Sequence, residues 1–131
     1  MITLKQYTNE ENQILPLIQG FWKAHSHYDQ SGEEAQEDLT NWTKDGHIIY
    51  FIQHDETVVG FAHLGSRGGK TDWLEELFIL PEYQGNGFGS EAIHQLEEIV
   101  KQYSASAYEY DVVRKEKIHG LEFEIRKDKA L

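Results

Sequence analysis

The chain has 131 residues, with 12 lysine and arginine residues against 23 aspartate and glutamate residues and a formal net charge of −11 at pH 7. This length predicts a single domain over residues 1–131, and the acidic balance argues against nucleic acid or an anionic membrane as partner, since both require a basic surface. The absence of cysteine excludes disulfides, thiolate metal sites and a cysteine nucleophile.

The net charge suits a cationic partner such as an amine through long-range attraction, and it serves solubility equally well. No apolar stretch approaches the roughly 18 residues of a membrane span, and the N-terminus lacks the apolar centre of a signal peptide. We therefore predict a cytoplasmic protein.

The N-terminal third predicts a strand followed by two helices. Residues 2–7 alternate apolar and polar side chains, as a half-buried strand does. Residues 10–25 carry apolar side chains at helical spacing, and Pro16 fits only if this helix begins close before it. Ser31 and Glu34 resemble a capping box, which predicts that a second helix begins there.

The remainder of the chain predicts five strands and one helix. The strands are expected over residues 47–53, 58–65, 72 or 73 to 80, 107–113 and 121–126. The first two of these form a hairpin, and the helix runs from residue 87 or 88 to residue 103. The order β-α-α-β-β-β-α-β-β predicts an α+β fold with a mixed sheet.

A glycine-rich turn, Gln84-Gly85-Asn86-Gly87-Phe88-Gly89, lies between the strand at 73–80 and the helix that follows. Glycines let backbone N–H groups approach a phosphate closely, and a helix N-terminus adds partial positive charge. The turn lacks the lysine of a P-loop, and its spacing is tighter than Gly-x-Gly-x-x-Gly. It predicts a diphosphate cradle; glycines that serve only the turn's conformation are the alternative.

The run from Leu74 to Glu91 resembles the acetyl-coenzyme A motif of the GNAT superfamily of N-acetyltransferases. That motif reads Gln/Arg-x-x-Gly-x-Gly/Ala after a strand, and Gln84, Gly87 and Gly89 match it position by position. Within the superfamily, the stretch is most similar to polyamine (spermidine/spermine) acetyltransferases. The resemblance implies an α/β sandwich with a mixed, mostly antiparallel sheet, flanked by helices and splayed into a V at the acetyl-coenzyme A site.

The same resemblance implies that acetyl-coenzyme A is the cosubstrate. Backbone N–H groups of the turn would hold its diphosphate, and the preceding strand would contact the pantetheine arm and the thioester carbonyl through its main chain. The residues implied for cosubstrate binding are Phe78, Ile79, Leu80, Gln84, Gly85, Asn86, Gly87, Phe88, Gly89 and Ser90.

The acceptor amine needs a base, because an alkylammonium group has a pKa of about 10.4. Glu75 matches the glutamate that polyamine acetyltransferases carry on this strand, and strand alternation places it on the face of Leu77 and Ile79, opposite Glu76. Apolar neighbours should raise its pKa. We therefore expect Glu75 to be the catalytic base, with a solvent-facing carboxylate as the alternative. Glu76 is expected to contact the substrate cation or to make a structural contact.

Tyr28 and Asp29, in the loop between the first two helices, are candidate contacts to a cationic substrate through cation–π and ion-pair interactions. No metal site is predicted, because His25 and His27 lack a third ligand. Trp22 and Trp42 are interpreted as core residues. His63, in the central strand, is also interpreted as a core residue, with a ring that faces the cleft as the alternative.

The C-terminal segment departs from the superfamily pattern. Members usually follow the strand at 107–113 with an asparagine, a short helix and a tyrosine that protonates the leaving thiolate, and no asparagine or tyrosine follows Tyr110 here. The general acid is therefore unassigned, with Tyr108, Tyr110 and His119 as substitutes. One strand fits after residue 113 where two are expected, so we expect a homodimer that completes the sheet.

These features predict an N-acetyltransferase that transfers acetyl directly from acetyl-coenzyme A to a primary amine of a small cationic molecule. Polyamines, aminoglycoside-like compounds and amino-acid derivatives are all open as acceptors. A second hypothesis is an inactive acetyl-coenzyme A-binding module that serves as a sensor or interaction protein. A third is a metal-free binder of another diphosphate.

Overall fold

The structure is a computed structural model that describes the backbone of residues 1–66, 71–103, 108–115 and 122–129, and the side chains of residues 1–66, 71 and 73–102. Its elements are β1 (Ile2–Gln6), α1 (Glu11–Ser26), α2 (Gly32–Asn41), β2 (Ile48–His54), β3 (Thr57–Ser66), β4 (Thr71–Ile79), a 3-10 turn (Pro81–Tyr83), α3 (Phe88–Tyr103), β5 (Tyr108–Lys115) and β6 (Glu122–Lys129). The element order predicted from the sequence is confirmed.

The first four strands form one antiparallel sheet in the order β1-β2-β3-β4. The predicted hairpin joins β2 to β3, where His54 pairs with Thr57 across a tight turn. β4 is an edge of this sheet, while β5 and β6 form a separate antiparallel pair and β6 lies close to β4. The α+β class is confirmed; the homodimer stays a prediction.

Helices cover both faces of the four-stranded sheet. The apolar stripe of α3, including Ile93 and Leu96, packs on one face with Leu77 and Ile79 of β4. On the other face, Phe21 of α1 and other apolar side chains of α1 and α2 pack against β2, β3 and β4. Burial of these stripes is the main stabilising contribution to the fold.

Local sequence signals account for the two N-terminal helices. Ser31 caps α2 as predicted: its hydroxyl accepts a hydrogen bond from the N–H of Glu34 at 3.1 Å, and its own N–H donates to the Glu34 carboxylate at 2.9 Å. In α1, Pro16 lies in the helix interior rather than at its start. It therefore removes one helical hydrogen bond, while the neighbouring Leu17 and Ile18 remain buried. Within the described ranges, no helix is both long and apolar enough to cross a membrane.

β4 contains an irregularity that simple strand alternation does not predict. His63 of β3 lies opposite Glu76, but the next residue, Leu64, lies opposite Leu74. Glu75 is therefore an extra residue in β4, as in a β-bulge, where two residues of one strand face a single residue of its partner. Such a bulge interrupts the alternation of faces along the strand.

The close approach of β3 and β4 makes a first testable prediction. A Cβ at Gly60 would lie 1.9 Å from the carbonyl oxygen of Phe78, a backbone atom that cannot rotate aside. Gly60→Ala should therefore force the strands apart and lower the free energy of unfolding by about 3 kcal/mol or more, measured by urea denaturation.

Gly32→Ala is the matched control. A Cβ at Gly32 meets nothing within 4 Å, so this variant should keep or slightly raise the stability, since alanine restricts the unfolded chain. Equal stability of the two variants would contradict the strand spacing described for Gly60.

Candidate active site

Glu75 and Glu76 open onto the same side of the sheet. Leu74 and Leu77 are both buried in the core beneath α3, so the two residues between them are displaced to the opposite face, where α1 and α2 lie. The predicted position of Glu75, beside Leu77 and Ile79 and opposite Glu76, is therefore wrong. The bulge resets the alternation on which that prediction depended.

A cleft of about 490 Å³ receives both carboxylates. Its floor is formed by β3 and β4, and its walls by α1 and by the connection from α2 to β2. Glu75 fits above Gly65, because a Cβ there would lie only 2.5 Å from the Cγ of Glu75. The other lining residues are Phe21, Trp22, Asn41, Trp42, Lys44, Asp45, His47 and His63.

A buried imidazole connects this cleft to the core. His63 is 1 % exposed, as expected for a core residue, and its ring stacks on Trp42 with 5.0 Å between centroids. Its Nδ1 lies 3.0 Å from Oε2 of Glu76, and its Nε2 lies 2.8 Å from Nδ1 of His47. These contacts form a hydrogen-bonded chain of three side chains, which we call the His47–His63–Glu76 chain.

The protonation state of His63 determines which atoms donate and which accept hydrogen bonds in this chain. Burial lowers the pKa of His63 to about 4, although the carboxylates of Glu75 and Asp38 oppose the shift, so the ring is neutral at pH 7. A carboxylate can only accept a hydrogen bond, so Nδ1 of His63 donates to Glu76. The remaining nitrogen, Nε2, then accepts from the Nδ1–H of His47.

The glycine-rich turn presents its backbone to open space. Gly85 and Gly87 have φ of 84° and 80°, and a Cβ on either would meet nothing within 4 Å. In the part of the chain that the structure describes, the N–H groups of Gly85, Asn86 and Gly87 donate no hydrogen bond. Gln84 donates from Nε2 to the carbonyl of Ile79 at 2.9 Å, which ties the turn to β4.

The first turn of α3 is anchored to the sheet beside these glycines. The carboxylate of Glu91 accepts a hydrogen bond from the N–H of Ile2, and Gln95 donates to the carbonyl of the same residue at 3.0 Å. The ring of Phe88 lies 4.7 Å from that of His54, at the end of β2. Sequence reasoning missed His54, because only the packing of β2 against α3 brings this imidazole to the turn.

The three residues implied for main-chain contact lie at the end of β4. The side chains of Phe78 and Ile79 are buried in the core, and the N–H of Leu80 donates to the carbonyl of Val59 at 2.8 Å. On its other side β4 is an edge of the four-stranded sheet. β6 nevertheless lies close to β4, so contact between a ligand arm and the main chain of these three residues stays a prediction.

Tyr28 lines a neighbouring cleft of about 510 Å³, together with Trp22, Ser26, Gln30, Glu34, Glu37 and Asp38. Its hydroxyl donates to the carboxylate of Glu34. Asp29 forms an ion pair with Lys23 at 2.9 Å and is not among the lining residues of this cleft or of the cleft at Glu75. Trp22, expected in the core, is partly buried against it and also lines both clefts.

The three proposed substitutes for the general acid are not placed. Tyr108 and Tyr110 belong to β5, but their side chains lie outside the described part of the chain, as does the whole of His119. In the described ranges, no group of three or more histidine, aspartate or glutamate residues is arranged to hold a metal ion.

The pKa of His63 predicts a pH dependence of stability. Because its pKa falls from 6.5 to about 4 on folding, the unfolded chain binds this proton more tightly. The contribution of the neutral, buried His63 ring to the free energy of unfolding is therefore complete above pH 6.5, and it is lost as the pH falls towards 4. Between pH 7 and pH 5, we expect a loss of about 2 kcal/mol in the free energy of unfolding, measured by urea denaturation.

His63→Gln should remove this part of the pH dependence, because glutamine does not titrate. His94→Gln, at an exposed position of α3, is the control and should retain it. The interpretation fails if His63→Gln and the unmodified protein lose equal stability over this pH range.

Comparison with known proteins places these features in context. The acetyltransferase (GNAT) family matches residues 13–116, which include both carboxylates and the glycine-rich turn. No curated protein matches the chain significantly.

Solved acetyltransferases share the fold. PaiA N-acetyltransferase from Thermoplasma acidophilum, in complex with coenzyme A, is 18% identical with a TM-score of 0.61, covering 98% of this chain and 99% of that chain. An acetyltransferase from Thermus thermophilus is 17% identical with a TM-score of 0.62, covering 97% of each chain. A GNAT acetyltransferase from Elizabethkingia anophelis with acetyl-CoA bound is 12% identical with a TM-score of 0.61, covering 99% of this chain and 98% of that chain.

At these identities, the solved structures show the fold, and the family match extends over most of the chain. The closer resemblance to polyamine acetyltransferases stays a prediction. The match over residues 13–116, which spans the glycine-rich turn and the paired carboxylates, shows that the chain belongs to the GNAT family of acetyltransferases, whose cosubstrate is acetyl-CoA.

Proposed function

We propose that the protein transfers the acetyl group of acetyl-CoA directly to a primary amine of a small cationic molecule. The observation that carries this proposal is the bulge in β4, which turns Glu75 and Glu76 into one aromatic-lined cleft. Two carboxylates beside Trp22 and Phe21 attract an ammonium group through charge and through the faces of the rings. Such a cleft beside the cosubstrate strand favours an enzyme over an inactive sensor.

The residues proposed for acetyl-CoA fit its chemistry. A diphosphate needs several N–H donors without a large side chain in the way, and the exposed turn at Gly85 and Gly87 provides them at the N-terminus of α3. Gln84 holds this turn in place through Ile79. The main chain of Phe78, Ile79 and Leu80 would contact the pantetheine arm, while Asn86, Phe88, Gly89 and Ser90 complete the turn.

We assign the base to Glu75. Its carboxylate lines the cleft and stands beside the buried His63, on the same strand as Phe78 and at a distance of about 10 Å along that strand. Deprotonation of the acceptor through one water molecule is within reach of such a group. Glu76, fixed by its hydrogen bond to His63, would contact the substrate cation.

The neighbouring cleft favours an acceptor with a second cationic group. Its carboxylates, Glu34, Glu37 and Asp38, lie beyond Trp22 from the first cleft, and Tyr28 adds an aromatic face. A diamine that reaches past Trp22 would place one ammonium group in each cleft. Asp29, already paired with Lys23, would act on such a cation from the rim. The homodimer and the cytoplasmic location remain predictions.

The proposed cosubstrate site predicts that one methyl group added to the glycine-rich turn weakens the binding of acetyl-CoA. Gly87→Ala adds a Cβ to open space at a residue with φ of 80°, so it obstructs the proposed diphosphate position and strains only the exposed turn. Removal of one or two charge-assisted hydrogen bonds should weaken acetyl-CoA binding at least about tenfold by calorimetry.

Gly32→Ala should bind acetyl-CoA as the unmodified protein does, and thermal unfolding should show that the Gly87 variant is folded. Unchanged affinity in a folded Gly87→Ala protein would contradict the assignment of the diphosphate to this turn.

The acceptor and its base are tested together by release of thiol from acetyl-CoA across a panel of monoamines, polyamines, aminoglycoside-like compounds and amino-acid derivatives. We expect release with diamines at lower KM than with monoamines of equal length. Glu75→Gln should lower kcat/KM about 100-fold at pH 7, with a smaller loss near pH 10, where the amine is already partly neutral.

Glu98→Gln, at an exposed position of α3, is the control and should keep the full rate. Binding of acetyl-CoA without thiol release for any amine would support the sensor hypothesis instead. A uniform loss at all pH values in Glu75→Gln would remove Glu75 as the base.

A further inference from the structure

Asn86, at the centre of the glycine-rich turn, is the one asparagine of this chain that precedes a glycine. The side-chain amide of asparagine is chemically labile, because the backbone nitrogen of the next residue can attack it and close a succinimide ring. A glycine in that next position leaves the nitrogen accessible, since it has no side chain. The other asparagines precede Glu10, Gln13 and Trp42, whose side chains obstruct the approach.

The structure leaves the attacking nitrogen of Gly87 open. Both Asn86 and Gly87 are exposed, and among the described residues the N–H of Gly87 has no acceptor. A Cβ on Gly87 would meet nothing within 4 Å, so the space in which the ring has to close is empty. By contrast, the N–H of Trp42, which follows Asn41, donates to the carbonyl of Asp38 at 2.7 Å, and the Trp42 side chain is buried.

The side chain of Asn86 is weakly restrained. Its Nδ2 donates a hydrogen bond to the carbonyl of Tyr83 at 3.0 Å, and this bond is exposed. An exposed hydrogen bond is easily exchanged for one to water, which releases the amide to turn towards Gly87. Gly87 immediately precedes α3, and the dipole of that helix stabilises the negative charge that develops on the attacking nitrogen.

We propose that Asn86 is a site of spontaneous deamidation, and that this reaction disables the turn assigned to acetyl-CoA. The nitrogen of Gly87 bonds to Cγ of Asn86 while its proton passes through water to Nδ2; the bond from Cγ to Nδ2 then breaks, and ammonia leaves. A water molecule adds to one of the two carbonyls of the succinimide. The product is aspartate or isoaspartate, and water is the only co-reactant.

Both products alter the turn where the cosubstrate would bind. Either one places a carboxylate among the N–H groups that we assign to the diphosphate, so like charges repel. Isoaspartate also adds a methylene group to the main chain between two anchored ends. At one end, Gln84 donates to the carbonyl of Ile79 at 2.9 Å; at the other, the carbonyl of Gly87 accepts from the N–H of Glu91 at 3.1 Å. The N–H groups between these ends therefore change direction.

Bound cosubstrate should preserve the turn. This part of the inference rests on the proposed function, since it presupposes that the diphosphate accepts hydrogen bonds from these N–H groups. A diphosphate that holds the N–H of Gly87 keeps this nitrogen from attacking and orders the turn around Asn86. The form without acetyl-CoA is then the one that deamidates, so the protein loses its cosubstrate site when acetyl-CoA is scarce.

The first test follows deamidation of the full chain without any ligand. The protein is kept at mildly alkaline pH, where the attacking nitrogen loses its proton more readily, and peptide mass spectrometry quantifies aspartate and isoaspartate at each asparagine. We expect Asn86 to react at least about tenfold faster than Asn41, whose neighbouring N–H is held by a hydrogen bond. Equal rates at the two positions would overturn the proposal, whether or not the protein binds acetyl-CoA.

The second test measures acetyl-CoA binding by calorimetry before and after the same incubation. The fraction of chains that bind with the original affinity should fall in step with the fraction of Asn86 that has reacted. Asn86→Asp, which is one of the two products, should bind acetyl-CoA about tenfold more weakly than the original sequence. Excess coenzyme A, which carries the same diphosphate, should slow the reaction at Asn86 and leave the rate at Asn41 unchanged.

Asn86→Gln is the matched control, because glutamine has to close a larger ring and reacts much more slowly. Compared with its own fresh sample, this variant should keep its affinity through the incubation. Complete deamidation of Asn86 with undiminished affinity would reject the effect on the turn. If fresh protein with intact Asn86 binds no acetyl-CoA, the proposed function and this effect fail together, and the ratio of rates at Asn86 and Asn41 decides the modification alone.

Discussion

The extra residue at Glu75 is the constraint on which the site depends. With regular alternation, either Glu75 or Glu76 would have pointed into the apolar core beneath α3, where an unpaired carboxylate is strongly destabilising. The bulge keeps Leu74 and Leu77 in that core and moves both carboxylates to the α1–α2 side. A single irregularity thus satisfies the core and creates an acidic cleft.

The same arrangement explains the buried imidazole. His63 loses its contact with water, and burial disfavours its charged form, so it is stable there only as a neutral ring with both nitrogens hydrogen-bonded. Glu76 and His47 provide those partners and are themselves ordered by them. The acidic cleft and the core are therefore coupled through one side chain, and two carboxylates lie in the cleft that we propose for the acceptor.

Much of the fold and part of the site can be predicted from local patterns in the sequence. The apolar stripe of α3, the capping box at Ser31 and the turn at Gly87 each depend on residues a few positions apart, and each is present in the fold. Acidic Glu75 and Glu76 were also recognised as candidates. The sequence did not predict that both carboxylates lie on the same face. The bulge that places them there depends on how β4 packs between β3 and α3, and no spacing within β4 encodes it.

By itself, the sequence determined the order of elements, the α+β class, the glycine-rich turn and the family, because helical and strand periodicity and turn chemistry act over short stretches of chain. Only the tertiary structure decided that His47, His63 and Glu76 form one chain, that His54 lies at the turn, and that Tyr28 and Glu75 occupy different clefts. These residues come from distant segments, and strand register and helix packing, which are properties of the whole core, bring them together or keep them apart.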